Sequence, residues 1–177
     1  MNQSFHEMLF TRHSIRKYTT DEVAPDEVKT ILEAALLAPT SKNARSWEFT
    51  VVDDRALLEK LAACKPLYGT CIGRSALSIV VSADPLKSDV WVEDASVAAA
   101  FVQLQVEALG LGSCWVQVRN RMHDDEVTAS EYVKELLHMG GEQQVVCVIA
   151  IGHKDEVRKP VDPDKLKWEK VHVGPWE

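Results

Sequence analysis

The densest chemistry in this sequence is the stretch Arg12 to Tyr18, Arg-His-Ser-Ile-Arg-Lys-Tyr, which packs three strong cations, an imidazole and a hydroxyl into seven residues. Such a set is suited to an anion. The planar guanidinium fork matches phosphate oxygens, a serine hydroxyl adds a directional donor, and each charge-assisted hydrogen bond is worth about 1.5–3 kcal/mol where water is partly excluded. Two other stretches compete for the same role. Pro39 to Trp47, Pro-Thr-Ser-Lys-Asn-Ala-Arg-Ser-Trp, is dense in short hydrogen-bonding side chains, and Lys165, Lys167 and Lys170 make the C-terminal stretch cationic. A phosphate-bearing cofactor would use the cations, with the polar loop against a ribityl chain or ring. The plain alternatives are a solvated basic turn for the first cluster and a solvated charge run for the tail.

Other chemistries find little in the chain. There is no Gly-x-x-x-x-Gly-Lys-Ser/Thr loop, and Gly110-Leu111-Gly112 lacks the third glycine and follows a helical pattern where a dinucleotide fingerprint follows a strand. His6, His13, His123, His138, His153 and His172 form no His-x-x-x-His pair, so no metal site is expected, and Gly-x-Ser-x-Gly is absent. Cys64, Cys71, Cys114 and Cys147 form no Cys-x-x-Cys pair and sit in apolar settings, which reads as buried free thiols. A formal net charge of −7 argues against a general nucleic-acid or anionic-membrane binder and makes the local basic cluster more informative.

The chain has 177 residues, 46% of them hydrophobic and 27% charged, which fits one globular domain over 1–177 with an ordinary core. The N-terminal ten residues carry an acid and lack a long apolar core, and the longest apolar run, Val145 to Ile151, is too short to span a bilayer. A cytoplasmic location is expected.

The elements that must position the candidates follow from periodicity. Ser4 caps a short helix with Phe5, Met8 and Leu9 at helical spacing, delivering the chain straight into the basic cluster. Pro25 opens a second helix, with Val28, Ile31, Leu32, Ala35 and Leu36 on one face, ending before Pro39. The polar loop then feeds a strand over Glu48 to Asp53, a helix capped by Asp53 or Asp54, and a buried strand over Leu77 to Ser82. Trp91 to Leu109 is apolar nearly all round, so it is expected to be buried, and a second copy of the chain is the economical cover for both its faces. Gly110 stops it, Leu111 to Val118 is strand-like, a helix runs from about Ser130 to Met139, and Gln143 to Gly152 is the most β-branched strand. The alternation makes this an α/β or α+β domain.

Four landmarks then resemble the FMN-dependent nitroreductase family: Arg12-His13-Ser14-Ile15-Arg16; Ala38-Pro39-Thr40-Ser41-Lys42-Asn43 with Trp47 after it; Gly110 to Trp115 closing the Ala-rich helix; and Ile151-Gly152-His153 after the last strand. They occur in the family's order and cover nearly the whole chain. The resemblance implies an α+β three-layer fold, with a mostly antiparallel central sheet flanked by helices, in an intertwined homodimer with two FMN molecules at its interface. It implies a ping-pong oxidoreductase passing hydride from NAD(P)H through flavin N5 to a nitroaromatic, quinone or similar acceptor. Oxygen-linked or dehalogenating chemistry on the same fold, or a flavin-binding module without turnover, are the other readings.

The resemblance also assigns residues. Arg12 and Ser14 match positions that hold the FMN phosphate and ribityl chain, His13 lies beside them, and Arg16 matches a basic residue at the pyrimidine edge. Pro39, Thr40, Ser41 and Asn43 match a loop laid on the flavin by the other subunit. Backbone amides around Gln117 and Val118 match the segment facing N5 and O4, and Lys165 and Lys167 approximate a C-terminal phosphate-binding pair. No protein acid, base or nucleophile is required, so no catalytic residue is assigned. Tyr68 to Arg74 offers no matched contact, with Arg74 a candidate by proximity, and Tyr68 and Trp91 are expected to shape the substrate side. Trp47 and Trp115 are expected in the core.

Overall fold

Four strands form one antiparallel sheet in the order β1-β2-β4-β3: β1 (Trp47–Val52), β2 (Leu77–Ala83), β3 (Gly112–Gln117) and β4 (Gln144–Gly152). The computed structural model describes residues 4–175, so the first three residues of the N-terminal stretch weighed above lie outside it. The helices are α1 (Phe5–Thr11), α2 (Pro25–Leu36), α3 (Arg55–Ala62), α4 (Trp91–Ala108) and α5 (Ala129–Leu136), with short 3-10 turns in the loops. The fold is α+β.

Both faces of the sheet are covered, which is why β2 and β4 read as continuous apolar runs and not as alternating ones. One core layer joins α2 and α4 to Ile79, Val81, Cys147 and Ile149; the other joins α3 and α5 to Val80, Val116, Val145 and Val148. Helix starts follow their caps: the Asp54 carboxylate accepts from the Leu57 amide at 2.8 Å, and the Thr128 hydroxyl accepts from the Glu131 amide at 3.2 Å. Helix α5 stops at Leu136, short of the expected glycine pair, because His138 already adopts φ 51, the left-handed turn that ends helices.

Within the single chain, helix α4 is buried on one side only. Ala95, Ala98, Ala99, Val102 and Val106 are buried on the sheet, while Val97 is 38% and Phe101 37% exposed on its outer side. Apolar groups are also exposed on α1 (Phe5, Leu9), at the end of α2 (Leu36, Leu37) and in the C-terminal stretch (Trp168, Val171, Val173). Trp47 is buried and Trp115 packs half-buried on the same core, as expected of both.

Candidate cofactor-binding site

The basic segment begins where α1 stops. Ser4 and Glu7 cap the helix reciprocally, with Ser4 N donating to Glu7 Oε2 at 2.8 Å and Glu7 N to Ser4 Oγ at 3.2 Å. Arg12 then turns extended, its amide still donating to Met8 O at 2.9 Å. From there the chain lies along the edge strand β3: Ser14 bridges Ser113 in parallel, and Ile15 N donates to Ser113 O at 2.9 Å.

Two glycines make room for it. Gly112 on β3 and Gly152 on β4 are register partners, and Ile15 and Tyr18 pack over them. A Cβ at Gly112 would stand 2.8 Å from Ile15 Cβ, and one at Gly152 would stand 3.0 Å from the Tyr18 ring. The Tyr18 hydroxyl donates to Ile15 O at 2.6 Å and lies 3.2 Å from Ala150 O; burial pushes its pKa well up, so it stays a neutral donor. From the other side Glu156 Oε1 accepts from Arg16 N at 2.6 Å and Lys17 N at 3.2 Å. The Arg16 amide, more than the Arg158 guanidinium, holds that carboxyl below its ordinary pKa. With Ile15 and Tyr18 buried, Arg16 and Lys17 are forced outward. Among the described residues, neither Arg12 nor Arg16 has a carboxylate partner.

Arg16 overhangs a cleft of about 360 Å³ walled by Cys114, Trp115 and Val116 of β3 and by Tyr68, Thr70 and Lys65 of the connection before β2. Strand alternation sets what β3 offers there. Ser113 O faces outward to Ile15, so period two turns the Trp115 and Gln117 backbone groups outward as well. The Val118 amide instead points into the sheet and donates to Val146 O at 3.2 Å. The Gln117 side chain is occupied too, accepting from Trp115 Nε1 and donating to Arg119 O, both at 2.9 Å. Beside Ser14, the buried Nε2 of His13 has no hydrogen-bond partner.

The second half lies elsewhere. Pro39, Thr40, Ser41 and Asn43 belong to a loop with three non-glycine residues at positive φ, Lys42 (51), Asn43 (55) and Arg45 (46), a conformation sustained only by its surroundings. The buried Asp94 on α4 provides the hold, accepting from Ser41 N at 2.8 Å and from Ser88 Oγ at 3.3 Å. Asn43 Oδ1 accepts from Arg45 Nε at 2.9 Å. This loop feeds Trp47 at one edge of the sheet, in register with Ala83, whereas Ser14 sits at the other edge and the opposite strand end, where Ser113 aligns with Ile151. Four strand spacings of about 4.8 Å and about six residues of 3.3 Å put those corners roughly 28 Å apart. One chain therefore keeps the two halves apart.

Lys165 and Lys167 lie in a stretch exposed from 157 to 175, brought back along α1 by Val161 N donating to Phe10 O at 2.8 Å. Lys167 pairs loosely with Glu169 at 3.7 Å. Arg74 lines a different cleft, with Lys17, Arg55 and Asp155, whereas Tyr68 stands with Arg16. Trp91 faces a third cleft, stacked under the Arg119 guanidinium at 5.4 Å. Sequence reasoning missed Lys65 and Thr70, the clamp by Glu156 and the anchor at Asp94. None of these left a signal in the sequence, since Asp94 is one of three acids on α4, beside Glu93 and Glu107.

The chain superposes with a TM-score of 0.95 on an FMN-dependent nitroreductase from Clostridium difficile R20291, at 46% identity over 97% of this chain and 99% of that one. It superposes at 0.89 and 29% identity on a provisionally named NADH dehydrogenase/NAD(P)H nitroreductase from Bacteroides thetaiotaomicron, covering 99% of this chain and 100% of that one. A relative from Archaeoglobus fulgidus with the same provisional name is 33% identical over 96% of this chain and 97% of its own. The nitroreductase family matches residues 9–65 and 65–153, and the chain belongs to that family.

Proposed function

We propose that the protein is an FMN-dependent oxidoreductase that draws hydride from NAD(P)H and delivers it to a nitroaromatic, quinone or similar acceptor, as a cytoplasmic homodimer. The observation that carries this is the pair Arg12 and Arg16, without a carboxylate partner among the described residues, flanking the segment that Ser14 and Ile15 bind to the outer edge of β3. Relatives named FMN-dependent nitroreductase and NAD(P)H nitroreductase support it.

The donor set fits FMN. Arg12 and Ser14 would hold the phosphate and ribityl chain, the partnerless His13 Nε2 lies beside them, and Lys165 and Lys167 would add charge from the tail. Arg16 would lie at the ring's pyrimidine edge, where a cation favours the reduced, anionic form. The outward Gln117 amide would hydrogen-bond the ring, in place of Val118. FMN held there would supply the hydride chemistry between nicotinamide and acceptor. The chain's own groups bind, orient and tune; none is asked to move a proton.

A second copy would supply Pro39, Thr40, Ser41 and Asn43, because one chain keeps that loop away from Ser14. The exposed Val97 and Phe101 of α4, Phe5 and Leu9 of α1, and the apolar residues of the tail are the surface such a copy would cover. Anaerobic titration tests the reading. Protein loaded with FMN should bleach with NADH or NADPH and recolour with a nitroaromatic or quinone. A chain that neither binds FMN nor gains thermal stability from it would overturn every part. Bleaching reversed only by oxygen would replace the acceptor class.

A further inference from the structure

A cleft of about 560 Å³ opens between the segment after Arg16 and the start of α3, a size within the range of about 300–1,000 Å³ for small-ligand sites. Lys17, Thr19, Thr20, Arg55, Arg74 and Asp155 line it, and none of them lines the cleft under Arg16. Tyr18 and α3 belong to one core layer and α4 to the other, so the cleft lies on the face of the sheet away from α4. Both walls are held by hydrogen bonds of their own. On one, Lys17 N donates to Glu156 Oε1 at 3.2 Å, Lys17 O accepts from Asp155 N at 3.0 Å, and Thr19 N donates to His153 O at 3.0 Å. On the other, Arg55 donates through Nη1 to Gly73 O at 2.6 Å and through Nη2 to Ser75 O at 2.7 Å, which pins the backbone on either side of Arg74. The Lys17 and Arg74 side chains are exposed, and among the described residues neither makes an ion pair. The lining thus carries three cations and one carboxylate in a chain of formal net charge −7.

We infer that this cleft binds the phosphate monoester of a small hydroxylated molecule. Arg74 offers an unspent guanidinium fork, whose planar donors suit phosphate oxygens. Lys17 adds a compact charge from the opposite wall, and Arg55, anchored on its two carbonyls, adds a third at a fixed position. A phosphate dianion brings these three cations and Asp155 to neutrality, whereas a single carboxylate would leave one positive charge over. Asp155, an acceptor only when ionised, is repelled by phosphate and is suited to a hydroxyl on the organic part of the ligand, as is the Thr20 hydroxyl. Because both walls are already hydrogen-bonded, binding orders little beyond the Lys17 and Arg74 side chains. A free sugar phosphate and a ribonucleotide ending in a monoester share this chemistry. The cleft includes neither Arg12 nor Ser14 nor Arg16, so it stands independently of any bound flavin.

Isothermal titration calorimetry of the full chain, with and without saturating FMN, tests this with two probes, ribose 5-phosphate and adenosine 2′-monophosphate. At least one probe is expected to bind in both conditions, and the tighter of the two identifies the source; ribose and adenosine, which lack the phosphate, should not bind. Lys17→Ala and Arg74→Ala should each weaken binding about fivefold, the upper end for a solvent-exposed ion pair, and the double variant should bind neither probe. Lys29→Ala, which removes a cation from α2 outside the cleft, should leave the affinity unchanged. In the wild type, bound probe should slow acetylation of Lys17 but not of Lys29, which keeps the location testable where a variant fails to fold. No binding of either probe at millimolar concentration, binding that vanishes when FMN is present, unchanged affinity in the folded double variant, or acetylation of Lys17 at the same rate with and without probe would overturn the inference.

Discussion

Arg12 and Arg16 are chemically alike but differently placed, one at the end of α1 and the other above the Tyr68 cleft. Removing Arg12 should therefore cost phosphate binding without disturbing the fold. Arg12→Ala is expected to weaken FMN binding by at least about 1.5 kcal/mol, roughly tenfold, the low end for a charged hydrogen bond, as read by flavin fluorescence titration. Glu156 makes the opposite kind of prediction. Its carboxyl is depressed in the fold, so its contribution is present above the unfolded value of about 4.3 and lost as pH falls through the folded value. Wild type should be more stable than Glu156→Gln near neutral pH, with the gap in urea midpoint closing in acid. A gap that widened in acid would mean that Glu156 does not clamp the Arg16 turn as a carboxylate.

Elements set where those residues stand, and here the sequence was only partly legible. Caps and stops such as Ser4, Pro25 and Gly110 are local signals, so helices and strands fell within a few residues of expectation. The Arg12 to Arg16 and Pro39 to Asn43 motifs were visible as residue types. The contacts that hold them were not, because they join positions far apart in the chain: Gly112 and Gly152 against Ile15 and Tyr18, and Asp94 against Ser41. Gly112→Ala should push Ile15 off β3 and destabilise the protein by about 1–3 kcal/mol, as overpacking does, with a larger fall in flavin affinity than Gly140→Ala, where a Cβ meets nothing. Asp94→Ala should cost about 1–3 kcal/mol by orphaning the Ser41 amide, read in urea denaturation.

At the scale of the molecule, apolar side chains on α1 (Phe5, Leu9), on α4 (Val97, Phe101) and in the tail (Trp168, Val171, Val173) stand exposed. Phe101→Glu should convert a dimer to monomer in analytical ultracentrifugation and abolish FMN binding together, because each proposed site needs two chains. The central claim is that sharing. It is tested most directly by FMN stoichiometry in purified hybrid dimers pairing an Arg12→Ala subunit with a Ser41→Trp subunit. Both parent homodimers should bind FMN poorly, and the hybrid should regain half the wild-type stoichiometry, since one of its sites combines an intact Arg12 with an intact Ser41 loop. A hybrid that binds no better than its parents would place the whole site within one chain and contradict the account.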